Sequence, residues 1–92
     1  MAKSIMQTDR ESYLSGRIDN LEKHHVFGGS NRKWSEKYGL WVYLTHDEHN
    51  EPPHGVHHNK RIRMQLQAEA QKKFEETYPR LEFMKIFGRN YL

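Results

Sequence analysis

The sequence predicts an α+β domain in which short strands precede one long helix. Three observations predict it. Residues 40–45, LWVYLT, are β-branched and aromatic without a breaker, as a strand requires. Ile62, Leu66, Ala70 and Phe74 recur every four residues, the apolar stripe of a helix. All seven histidines lie between residues 24 and 58, bridging the strands and the start of that helix.

Each element follows in order. Residues 1–11 are polar, with Ile5–Met6 as the only apolar pair, and read as a loose arm or a first strand. Residues 12–16 (SYLSG) read as a short strand entering a turn at Gly16–Asn20, and residues 21–27 (LEKHHVF) as a second. Together they predict a β-hairpin ending at the His24–His25 pair. Residues 28–39 read as a loop, with Ser35 capping a single helical turn (Glu36–Tyr38) stopped by Gly39. On the following strand, Leu40, Val42 and Leu44 share one face, and Trp41 and Tyr43 the other. HDEHNEPPHG is a polar connection, with two prolines barring a helix through its middle. The long helix runs from His54 or Gly55 to Tyr78. Pro79 starts a short terminal helix that carries Leu81, Phe83, Met84 and Phe87 and ends at Gly88.

At 92 residues the chain is one domain with a small core, for which a bound metal would be a useful staple. Hydrophobic residues make up only 35%, but 12% aromatics argue against a disordered tail. The absence of cysteine excludes disulfides, thiolate zinc fingers and cysteine nucleophiles. No apolar run approaches the ~18 residues of a membrane span. MAKSIMQTDRESY lacks the apolar centre of a signal peptide, so a cytoplasmic protein without a membrane partner is expected. The net charge is +3, and residues 59–92 hold eight Lys/Arg against four Glu, a balance that suits a polyanion.

Imidazole binds metals and moves protons near neutral pH. Three imidazoles from separate elements make a metal site with positions left open for water or substrate. Adjacent strand residues point to opposite faces, so His24 and His25 do different jobs unless the strand is distorted. His54 and His57 are three apart, His54 and His58 four; either pair can share a helical face, and spacing alone does not choose between them. His46 and His49 fall in the connection, and His46 reads as a solvated bystander.

From HHVFGG onward the chain resembles a known family. LEKHHVFGGSNRKWSEKYGLWVYLTHDEHN, then GVHHN and the terminal FGRNYL, resemble the HNH endonucleases, the ββα-metal or His-Me finger nucleases. The likeness is closest to small HNH-like proteins of phages and prophages of Gram-positive bacteria, over about Lys3–Leu92; the general HNH pattern spans about residues 12–70. The resemblance implies a ββα-metal unit with a β-hairpin, a further strand, a long helix and a short C-terminal helix. Its core would be about 12–78 and its terminal helix about 79–92, in a single domain. It implies a metal held by His24, His49 and His57, and His25 as general base; His54 and His58 match no firm role in the pattern, but either could replace His57 as a ligand. The ion would be zinc, magnesium, manganese or nickel.

The activity implied is metal-dependent hydrolysis of DNA phosphodiesters, with Arg32, Lys33, Lys60, Arg61 and Arg63 holding the backbone. The alternative is an inactive HNH-like module that binds nucleic acid, a host protein or phage packaging proteins. Two departures stand out. SYLSG matches a place where relatives often have a cysteine, and this chain has serine. Leu40 falls where the family has the asparagine that orients the base, leaving a backbone carbonyl or Asn31, Asn50 or Asn59 for that work.

Overall fold

A computed structural model of the chain describes residues 2–92. Two antiparallel strands, β1 (Leu21–His25) and β2 (Trp41–Thr45), pair with Leu21 opposite Thr45 and His25 opposite Trp41. Helices α1 (Arg32–Tyr38), α2 (His46–Asn50), α3 (Lys60–Glu75) and α4 (Arg80–Phe87) complete an α+β fold.

The strand pairing differs from the expected hairpin. Residues 12–16 form a turn instead of a strand. The Ser12 hydroxyl accepts from the backbone N–H groups of Leu14 and Ser15, both at 3.1 Å, and Gly16 at φ 76° closes back onto the Ser12 carbonyl. A serine that satisfies nearby backbone donors in this way competes with strand formation. The expected further strand is therefore the true partner of β1, and the segment between them holds α1.

That helix is also longer than the single turn expected. Ser35 does not cap it; buried within it, its hydroxyl accepts from the Phe27 N–H (3.0 Å) and donates to the Phe27 carbonyl (2.8 Å). This clasp draws residues 26–27 out of β1 and into the core, so the strand ends at His25. Gly39 ends α1 at φ 70°, where a Cβ would collide with the Lys3 carbonyl. The N-terminal arm is neither loose nor a strand. It runs beside β2, where the Ser4 hydroxyl donates to the Trp41 carbonyl (2.6 Å) and the Gln7 side chain accepts from the Tyr43 N–H (2.6 Å).

The polar connection after β2 contains α2. Thr45 and Glu48 form a reciprocal cap: the Thr45 hydroxyl accepts from the Glu48 N–H (3.3 Å) and the Glu48 carboxylate from the Thr45 N–H (2.9 Å). The prolines follow this helix, so they do not interrupt it. Gly55 then packs against it, with no room for a side chain: a Cβ would lie 2.7 Å from the Glu51 nitrogen. A 3-10 turn at Val56–His58 leads to α3, which starts later than expected because Asn59 caps it, accepting from the Ile62 N–H at 3.1 Å. Pro79 caps α4 from outside and does not occupy its first turn.

The core lies between the sheet and helices α3 and α4. Leu40, Val42 and Leu44 meet Leu66, Ala70 and Phe74, with Phe83 and Phe87 from α4, while Ile62 is partly buried at the edge of the stripe. Burying each large side chain contributes about 1.5–3 kcal/mol. His24 sits on this core-facing side of the sheet, opposite Val42 in register.

Candidate metal centre and adjoining cleft

Alternation along β1 divides its polar residues between two faces. Glu22 and His24 point towards α2 and the turn before α3. Lys23 and His25 point towards α1.

On the first face three imidazoles converge: His24 from β1, His49 from α2 and His57 from the Val56–His58 turn. Each offers a ring nitrogen, and these nitrogens all lie within 4.8 Å of one another. The His49 and His57 Nε2 atoms are 3.0 Å apart, and His24 stands edge-on to both rings at 5.1 and 5.4 Å between centroids. The short cap on α2 and the missing side chain at Gly55 bring His49 and His57 together.

The donor chemistry fits a cation. His24 is 4% exposed, and its Nε2 is buried without a hydrogen-bond partner. Leaving such an atom unsatisfied costs about 1–3 kcal/mol. Burial first, and then the neighbouring His49, His57 and His25, push the His24 pKa down to about 3, so the ring is neutral at pH 7. Burial, with His49, His58 and Arg63 nearby, also lowers the His57 pKa. His49 Nδ1 lies 2.9 Å from Glu22 Oε1. A carboxylate only accepts, so Nδ1 carries the hydrogen and Nε2 offers its lone pair into the cluster. Zinc–nitrogen bonds of about 2.0–2.1 Å at tetrahedral angles separate ligand nitrogens by roughly 3.3 Å, a spacing near that of the His49–His57 pair.

Glu22 was not singled out in the sequence, although a residue two positions before His24 on the same strand must share its face. Hydrogen bonds from His49 and then His46 hold its carboxyl below the usual range, and Asn50 donates to it at 2.8 Å. The arrangement is a carboxylate–histidine pair behind the nitrogen that faces the other two imidazoles, of the kind that orients a metal ligand and raises its basicity. His46 is exposed and bonds Glu22 and Glu51, outside the cluster. His54 and His58 are exposed and also lie outside the three-histidine group found among the described residues.

On the second face, His25 Nε2 is 2.8 Å from Glu36 Oε1, which also accepts from Lys23 Nζ at 2.7 Å. Lys23, then His25, keep the Glu36 carboxyl below its ordinary pKa. His25 and Glu36 line a shallow cleft with Gly29, Ser30, Arg32 and Lys33. Two of the expected phosphate-binding cations thus adjoin His25. Lys60 and Arg61 are exposed at the start of α3, whereas Arg63 donates to the Val56 carbonyl at 3.3 Å and braces the turn that carries His57.

None of the expected substitutes for the family asparagine reaches His25. Leu40 is fully buried and its carbonyl accepts from the Val26 N–H. Asn50 is bonded to Glu22 and Asn59 caps α3, while Asn31 makes no side-chain bond to His25 among the described residues. Ser12 donates to Glu48 at 2.5 Å and ties its turn to α2.

Comparison of the chain with models of protein families, with curated proteins and with solved structures gives no match. The class defined by fold and site is a small α+β protein with three histidines close enough to bind a metal ion. No helix among the described residues is long and apolar enough to cross a membrane.

Proposed function

We propose that the protein is a metal-dependent endonuclease or nickase of the HNH, ββα-metal type, of phage or prophage origin and acting on DNA. The observation that carries this is the meeting of His24, His49 and His57 from three separate elements, with His24 Nε2 buried and unpartnered, next in sequence to an imidazole held by a carboxylate. His24, His49 and His57 would hold a divalent cation, which would supply neutralisation of the charge that develops on the phosphodiester. The remaining work falls to the chain's own groups. His25, with Nε2–H donated to Glu36, takes a proton from water at Nδ1. Arg32 and Lys33 border the same cleft and hold the nucleic-acid backbone, which makes recognition depend on phosphate and shape more than on base sequence.

The test is nicking of supercoiled plasmid with Mg²⁺, Mn²⁺, Ni²⁺ or Zn²⁺, beside His25→Ala. Metal-dependent nicking that falls about 10²–10⁴-fold in the variant supports the assignment. An intact plasmid with every metal, while a metal still raises the melting temperature, sinks it.

A second reading has its own observation. His24 and His25 lie on opposite faces of β1, and His24 is buried against the core while His57 at the other end of the group is exposed. That placement suits a metal that staples the fold of a non-cutting module, one that binds nucleic acid or a host or phage protein. Gel shifts at two salt concentrations test its nucleic-acid arm, because phosphate contacts weaken steeply with salt.

A further inference from the structure

We infer that Glu36 is the positioning residue for His25, fixing its tautomer and ring orientation where the family resemblance expects an asparagine; this role rests on the endonuclease assignment above. The geometry is direct. Glu36 Oε1 lies 2.8 Å from His25 Nε2. A carboxylate is an acceptor only, so the neutral ring carries its hydrogen on Nε2 and its lone pair on Nδ1. Nδ1 has no hydrogen-bond partner among the described residues and is not among the buried unpartnered atoms, and the His25 side chain lines the cleft.

The carboxylate is itself held. Lys23 Nζ donates to the same oxygen at 2.7 Å, keeping it ionised, while Glu36 Oε2 is buried without a partner. The adjacent Ser35 clasps both backbone groups of Phe27, so α1 is locked two residues beyond His25. Glu36 therefore meets His25 in a set register, unlike a surface ion pair between two free side chains. The other position that could orient His25 offers nothing: Leu40 has an apolar, fully buried side chain and a carbonyl already engaged by Val26. Ser35 fixes where α1 sits, and Glu36 uses that position to reach the imidazole.

The test uses the full chain loaded with Zn²⁺ and labelled with ¹⁵N. Long-range proton–nitrogen correlation at about pH 8, where an ordinary imidazole is neutral, reads the tautomer directly. The wild type is expected to hold His25 as Nε2–H. Glu36→Ala is expected to shift it towards Nδ1–H and to lower plasmid nicking about tenfold to a hundredfold. Glu36→Gln, whose amide oxygen can accept in the same place, is expected to retain Nε2–H and most of the nicking. Glu36→Met, close in size but without an acceptor, repeats the truncation should the alanine variant unfold. An unchanged Nε2–H tautomer in the folded truncation overturns the role of Glu36. Failure of the wild type to nick with every metal overturns the endonuclease assignment instead, and the spectrum reads independently of it.

Discussion

The two faces of β1 solve opposite problems with the same side chain. His24 is buried at 4% exposure, surrounded by other imidazoles, and its Nε2 has no partner. His25, one residue on, borders an open cleft and is paired with an ionised carboxylate. Burial without a counter-charge keeps a ring neutral and its lone pair available to a cation. A fixed acceptor on one nitrogen instead aims the other at solvent. The difference teaches that a histidine doublet on a strand supplies two chemistries because the pleat, not the residue type, assigns each its surroundings.

The largest expected effect separates the two faces by a pair of variants. His24→Ala should abolish the rise in melting temperature caused by Zn²⁺, and His25→Ala should leave it in place. Metal at about 100 times its Kd adds about 2.7 kcal/mol, which for a domain of this size is a shift of about 10 °C or more in Tm by calorimetry. Equal loss in both variants would break the comparison. Next comes Glu22→Gln, which weakens the carboxylate behind His49. Metal affinity measured by titration should fall about 10–100-fold, with the His25 tautomer unmoved.

A smaller effect is expected at Thr45→Ala, which removes the cap that seats α2 and hence His49. The cost should be about 1 kcal/mol in chemical denaturation, accompanied by weaker metal binding but an unchanged His25 tautomer. The smallest test lies outside both faces. Tyr13 donates to Glu69 at 2.5 Å, and burial, then that hydrogen bond and charge, raise its pKa from 10.0 to about 12. The folded state therefore keeps a proton that the unfolded chain releases. Stability from this group is full below pH 10 and is lost as pH rises towards 12. The gap in Tm between wild type and Tyr13→Phe should narrow over that window, equally with and without Zn²⁺. A narrowing that depends on metal would couple Tyr13 to the His24 face.

Some of this was legible in the residues. The alternation of residues 40–45 marked β2 and its buried side, and the four-residue stripe marked α3. The cap on α2 was also written in the chain, as Thr45 followed three residues later by Glu48, but the histidines and prolines around it hid the signal. Ser12 and Ser35 misled in the same way. Each hydroxyl bonds backbone groups, one locally and one across eight residues, and neither choice shows in propensity.

Residue type and local period thus marked β2, α3 and α4 and placed imidazole at the centre of any site, while residues 12–16, α1 and α2 escaped them. Only the tertiary structure decided that β1 pairs with β2, and that pairing set everything downstream. It turned Glu22 and His24 towards α2, turned His25 towards α1, and brought Glu36 within 2.8 Å of His25. Strand pairing and helix docking are settled by contacts between residues far apart in the chain, and local pattern carries no record of which partner wins.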